Sequence, residues 1–490
     1  MKKKIFAAVL ASAMLLSLAG CNQEGNAPAN TQGGNDTQAP ANTTTAGGGD
    51  NTEQAENPPA DDTDYVNAKV NAEKDPVLVD TGFVNPDGEG KVFNIAVWNE
   101  EWKGFFEKYY KVPDGVTVNF LSTPSEGGAY QTKLDEYLQN NESASADDKI
   151  DLFLAEADYI KKYACSDYTL DISTIGLSKP ATAYNYTYDA ATDIRNGQIK
   201  GASFQACPNA LIYRKSIAKE VLGTDDPAEV QSKLDTWDKF NAVAADAKAK
   251  GYYMTPSVIE TYRVFANSST KCFIDENNNF QTQDGFEKWL AQAEEFIKND
   301  YTINCGIWSD EKTHEMGKEG KSMCFFGPAW YYNFCMGTAV EQTPGDWAIC
   351  KGPQEGFWGG TWMMVPVGTD NPSMTADVIK AFTENTDLLT QLVYKDNQFA
   401  NHKGVMKSYA DSPDYVNQFL VKGQNDIAIM YEIAENIKWD SNLHTQYDQT
   451  FNEKLPEVMQ EYLKGVATKD EAFANFYKIL DESCPGVTHP

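Results

Sequence analysis

The sequence predicts an α/β protein whose ordered part folds as two lobes. Short apolar runs of strand length recur without polar alternation, which marks strands buried on both faces, as in parallel sheets. Amphipathic stripes at helical spacing fall between and after these runs. The ordered part also extends over roughly 400 residues, more than one hydrophobic core usually serves.

Taken from the amino terminus, Lys2, Lys3 and Lys4 precede an apolar run from Ile5 to Leu18. That run is shorter than the roughly 20 residues of a membrane span, and a charged start before a short apolar core is a secretory signal. It ends in Leu18-Ala19-Gly20-Cys21, which resembles the lipobox of bacterial lipoproteins. The resemblance implies cleavage before Cys21 and a lipid on its thiol. Residues from about 22 to 75 are Asn, Gln, Thr, Gly, Ala, Pro and acids, with too little apolar matter to bury, so a disordered tether is expected there. A flexible segment of about 50 residues reaches roughly 40 Å.

Val92 to Trp98, Val116 to Leu121 and Ile150 to Leu154 are the first apolar runs, and Tyr130, Leu134, Tyr137 and Leu138 recur at helical spacing between the last two. This is a βαβ rhythm. Trp237, Phe240, Ala244 and Ala247 form a stripe stopped by Gly251; Phe286, Trp289, Leu290, Ala293 and Phe296 form another behind Asp284 as a cap. Thr468 to Glu471 has capping-box form ahead of Ala472, Phe473, Phe476 and Leu480.

Composition excludes some functions. There are 71 acidic against 41 basic residues, a formal net charge of −30, which repels nucleic acid and anionic lipid. Four His and nine Cys are scattered with no CxxC pair, so neither a zinc site nor any other cofactor is expected, and the eight Cys beyond Cys21 suit disulfides or free thiols equally. Gly317 to Ser322 reads GKEGKS, but its glycine spacing is too short for a phosphate loop and a turn into a strand over 322–326 is expected. Asp275 to Glu287 lacks the Gly that a calcium loop requires, so a polar hairpin is expected.

Several segments, in order, resemble the family 1 extracellular solute-binding proteins, the maltose-binding-protein-like subunits of ABC importers. IDLFLAEADY (150–159) resembles that family's third strand, and GQIKGASFQACPNALIYRKSIA (197–218) its first crossing between lobes. EGKSMCFFGPAWYY (319–332) is similar to its strand ending in Gly-Pro-x-Trp, GDWAICKGPQEGFWGGTWMMVP (345–366) to the approach to the second crossing, and EYLKGVATKDEAFANF (461–476) to its closing helix pair. The resemblance implies a periplasmic-binding-protein-like fold, two discontinuous α/β lobes on a hinge of crossing strands, closing on ligand. The map is a signal over 1–20, lipidated Cys21 and tether over 21–90, lobe one over 91–203 plus 364–403, and lobe two over 204–363 plus 404–486.

A pyranose presents a flat C–H face, which suits aromatic rings, and a rim of hydroxyls, which suits carboxylates and amides. Trp330 follows Gly327-Pro328 with Tyr331 beside it, and the family keeps a sugar-stacking aromatic there. Trp358 and Trp362 bracket Gly359-Gly360, where backbone approaches a ligand closely. Trp98, Glu100 and Trp102 follow the first strand, and Glu156 and Asp158 end the third, at the carboxyl ends where open α/β sheets bind ligands. Gln205, past the first crossing, and Trp439, near Asp440 and Asn442, complete the candidates. Trp237 and Trp289 are expected in the core, and Trp308 and Trp347 default to packing. By this reading a monomer on the outer face of the cytoplasmic membrane captures a carbohydrate for an ABC permease, without catalysis. A secreted glycoside hydrolase, a binder of peptide or polyamine, and a surface adhesin remain alternatives.

Overall fold

Among the described residues, eight strands build two separate sheets. In the computed structural model they are β1 (Val92–Val97), β2 (Thr117–Ser122), β3 (Leu152–Glu156), β4 (Gly201–Ser203), β5 (Ala210–Arg214), β6 (Cys324–Gly327), β7 (Trp347–Cys350) and β8 (Thr361–Met364). The structure describes residues 75–417, 419–420 and 424–490. The signal segment, Cys21 and the tether as far as residue 74 lie outside the described residues.

The larger sheet has the order β2-β1-β3-β8-β4, with β1 parallel to β2 and β3, and β8 antiparallel to β3 and β4. Both faces of β1, β3, β4 and β8 are buried, as the unbroken apolar runs predict, whereas the edge strand β2 alternates between exposed and partly buried residues. Phe93, Ile95 and Val97 face one core, and Ala96, Phe153 and Ala155 the other. The smaller sheet, β6-β5-β7, is wholly antiparallel. Leu211 and Tyr213 of β5 face a third core with Phe240, Trp289 and Phe296. Trp347 is fully buried, as expected.

Between β4 and β5 the chain passes from the larger sheet to the smaller, and between β7 and β8 it returns. Isolated bridges Pro208↔Phe357 and Gln205↔Ala400 tie these crossings to each other and to a third pass near residue 400. Both crossings fall inside the segments singled out by resemblance. The expected boundary at 363/364 is corrected, because β8 already joins the larger sheet at Thr361. The body also begins earlier than residue 91: the Val79 N–H donates to Tyr109 O at 2.8 Å, and the Thr81 hydroxyl to Asp377 at 2.8 Å. Val79 and Phe83 of this segment also pack against the main core, so contacts and hydrogen bonds together hold it.

Among the helices, Thr236 caps Trp237–Ala249, and Thr468 with Glu471 completes the capping box of Lys469–Ser483. Asp284 is not a cap: Gln283 occupies that position, and the Asp284 carboxylate accepts the Thr270 N–H at 2.7 Å. Glu315 Oε2 accepts the N–H groups of Lys321 and Ser322, shaping the turn that leads to β6. Asp275 accepts the N–H of Asn277 and Asn279 in a tight turn closed by the Ile274↔Phe280 bridge. Among the described residues the eight cysteines are free thiols. Among the described residues no helix is long and apolar enough to cross a membrane, and no group of three or more His, Cys, Asp or Glu is placed to hold a metal.

Phe451 is fully buried and stacks on Phe273 at 4.8 Å between centroids. Phe451→Ala is therefore expected to cost about 3–5 kcal/mol, against about 1 kcal/mol for Thr468→Ala at the exposed cap. Urea unfolding of the two variants checks this; equal losses would contradict the packing described.

Candidate functional site

A groove of ≈ 1250 Å³ lies where elements of both sheets meet. One wall comes from the carboxyl ends of β1 and β3: Trp98, Glu156, Asp158 and Tyr159, with Glu101 from the helix Glu101–Tyr109 and Gln131 from the helix Ala129–Asn140. The other comes from the smaller sheet and its helices: Arg263, Trp308, Trp330 and Glu453. Gln205, Trp358 and Gly359, on the crossings, line it too.

The aromatic floor depends on two glycines. A Cβ on Gly327 would lie 2.3 Å from the Tyr331 ring, so Gly327 lets Tyr331 fold back beneath Trp330. Gly359 holds φ at +76°, and a Cβ there would meet Trp330 Nε1 at 3.0 Å. Trp330 Nε1 donates to Trp358 O at 3.2 Å. Trp308 stacks near Trp330 at 6.2 Å and 30°, while Trp358 meets Trp330 edge-on at 5.0 Å and 72°. Trp308, 66 % exposed, forms the outer lip. Across the groove, Trp98 sets its edge against Tyr130 and Tyr159 at 5.7 and 6.3 Å.

The polar edge spans both walls. Arg263 Nη1 donates to Asp158 Oδ1 at 2.6 Å, joining the helix Val258–Phe265 to the loop after β3. Burial, reinforced by the Asp158 charge, pushes the Glu156 carboxyl well above the usual range. Burial also raises Glu453 to about 7, again with Asp158 adding to it. Glu101 rises to about 7 through burial, although Gln398 donates to it at 3.3 Å. Near neutrality these carboxyls both donate and accept hydrogen bonds. Gln131 Oε1, Tyr159 Oη and Arg263 Nε are buried at the groove without a partner. Such atoms cost free energy unless a ligand engages them.

Of the sequence candidates, Trp98, Glu156, Asp158, Gln205, Trp330 and Trp358 meet in this groove. The others do not line it. Trp102 is 1 % exposed and packs on Phe106 and Phe382 at 5.5 and 5.0 Å. Tyr331 is fully buried, donating to Glu260 at 2.6 Å, and Trp362 is buried with Nε1 donating to Thr187 O at 2.7 Å. Glu100 is exposed and pairs with Lys103 at 2.7 Å. Trp439 lines an adjoining chamber of ≈ 860 Å³, stacked on His444 at 3.7 Å. Glu101, Arg263 and Glu453 are not among the sequence candidates, and Trp308, expected in packing, is instead exposed at the groove. The helical phase separates Glu101 from its neighbour: Trp102, Phe105, Phe106 and Tyr109 form the buried face of this helix, and Glu101 lies off it, in the groove.

A family of proteins described as bacterial extracellular solute-binding protein matches residues 105–422. The chain belongs to this family. No curated protein matches the sequence. The fold of this solute-binding protein is similar to that of an extracellular solute-binding protein of family 1 (TM-score 0.64, 17 % identity, covering 80 % of this chain and 99 % of the other). It is also similar to the galacto-N-biose-/lacto-N-biose I-binding protein of the ABC transporter from Bifidobacterium longum, in complex with lacto-N-biose (0.61, 14 %, 83 % and 100 %). A third is the sugar-binding protein MalE from Xanthomonas citri (0.58, 15 %, 80 % and 96 %). The two-lobed periplasmic-binding-protein fold is common to all of them.

The raised carboxyls give the solute-binding protein a pH dependence. Glu101 titrates at about 7 when folded and at 4.5 ordinarily, so between these values the folded state binds more protons and stability falls as pH rises. Glu101→Gln is expected to shrink the loss between pH 5 and pH 8 by on the order of 1–2 kcal/mol. Urea unfolding at the two pH values measures it; an unchanged slope would contradict the burial of this carboxyl.

Proposed function

We propose that this chain is the substrate-capturing subunit of an ABC importer and that its cargo is a carbohydrate, an oligosaccharide. The observation that carries the reading is the platform of Trp308, Trp330 and Trp358 sharing one groove with Trp98, carboxyls and amides. Indole faces suit the C–H face of a pyranose, and the polar edge suits its hydroxyls. The ≈ 1250 Å³ groove exceeds the roughly 300–1,000 Å³ that holds a drug-sized ligand, which favours more than one sugar ring. The lacto-N-biose complex of the similar Bifidobacterium protein and the sugar-binding protein of Xanthomonas support the same cargo class.

On this reading the lobes, about 91–203 plus 364–403 and 204–363 plus 404–486 adjusted as the strands require, close on cargo by bending at the crossings, and the closed monomer docks on the permease. Trp98, Trp330, Trp358, Glu156, Asp158 and Gln205 touch the cargo. Cys21 carries the lipid that holds the protein on the outer face of the membrane, the tether giving the head its reach.

Calorimetric titration with neutral oligosaccharides tests the reading. Trp330→Ala and Trp358→Ala are each expected to weaken binding at least tenfold, about 1.4 kcal/mol, while Trp102→Phe leaves affinity unchanged. Bound glycan is expected to persist intact on prolonged incubation; cleavage would indicate a hydrolase instead. Cys21→Ser is expected to release the protein from cell membranes into the medium, and retention by the variant would contradict the anchor.

A further inference from the structure

The charges around the groove do not balance. Its lining contains three bases, and each is already engaged: Lys162 by Asp135 at 2.6 Å, Arg263 by Asp158 at 2.6 Å, and Lys454 by Glu457 at 2.8 Å. Glu101, Glu156 and Glu453 also line it, and among the described residues no ion pair reaches any of them. Their contacts are a Gln398 amide on Glu101, the Asp158 N–H on Glu156 at 2.7 Å and a Gln449 amide on Glu453 at 3.3 Å. The charged groups facing them are Asp396 for Glu101, Asp158, Arg263 and Glu453 for Glu156, and Asp158, Arg263 and Lys454 for Glu453.

Carboxyls in a recess whose nearby cations are already committed, Arg263 to Asp158 and Lys454 to Glu457, are costly to ionise. A cation entering the groove removes that cost. Two further atoms point the same way: Tyr159 Oη and Gln131 Oε1 belong to groove-lining side chains only 4 % and 7 % exposed, and have no partner. Both oxygens accept hydrogen bonds, as a donor-rich ammonium requires. The indole faces of Trp308 and Trp330 also favour a cation through their negative quadrupoles.

We propose that the saccharide captured here carries a protonated amine, an amino sugar whose ammonium is held between Glu156 of one wall and Glu453 of the other, with Glu101 along the same groove. This rests on the carbohydrate reading and narrows it. Neutral glycans would leave the unbalanced carboxyls as they are, whereas an amino sugar lets a single group draw both walls together.

Titration of the full chain with a glucosamine disaccharide bearing free amines, with the same disaccharide N-acetylated, and with spermidine, at about pH 6.5, tests this. The free-amine disaccharide is expected to bind at least tenfold more tightly than the acetylated one, with proton release seen as a buffer-dependent heat. Glu453→Gln and Glu156→Gln, with melting temperature as the check on folding, are expected to erase the preference while retaining residual glycan binding. Equal or tighter binding of the acetylated form overturns the amine inference and leaves the carbohydrate reading intact. Binding of spermidine alone overturns the carbohydrate reading and leaves recognition of an ammonium group standing. Binding of none of the three overturns the amine inference.

Discussion

The constraint on which the rest depends is the passage of the backbone between two sheets. Residues 204–209 and 351–360 each carry the chain across, and the Pro208↔Phe357 and Gln205↔Ala400 bridges hold these passes side by side. Because β1 and β3 are parallel, their carboxyl ends open on the same side, and the loops after them meet the elements beyond the crossings. Trp358, Gly359 and Gln205 reach the groove because they sit on the crossings themselves.

A buried ion pair supports the aromatic platform from beneath. Lys312 Nζ lies 2.5 Å from Glu260 Oε1, with the two side chains 3 % and 0 % exposed, and Tyr331 donates to the same oxygen. The Lys312 ammonium also sits over the Tyr331 and Trp308 rings, at 4.5 and 5.7 Å. Desolvating such a pair offsets much of its Coulomb attraction. Its effect is therefore better described as fixing geometry: removing one partner would leave a charge stranded below Trp330.

Much of the fold was legible in the sequence because it rests on periodicity. Unbroken apolar runs located β1, β2 and β3 to within two residues, and the stripe through Trp289 located its helix. The lobe boundary at Thr361 and the earlier start near Val79 were not legible, since both depend on which partner a strand or loop finds. The site was read in part, for a physical reason. Positions next to Gly or at strand ends, such as Trp330, Trp358 and Glu156, announce themselves by backbone chemistry. Glu101 and Trp102 show the converse: neighbours on one helix turn point to groove and core, and only the helical phase tells them apart. Trp308, Arg263 and Glu453 come from separate stretches of chain that converge only in the folded molecule.

Where an oligosaccharide sits on the protein decides whether the groove is its binding site. A crystal structure of the protein with a bound glycan is predicted to place a sugar ring against the Trp330–Trp358 platform, with hydroxyl or amine groups within hydrogen-bonding distance of Glu156 and Glu453. A glycan found only in the chamber beside Trp439, or on the outer surface away from both walls, would contradict it.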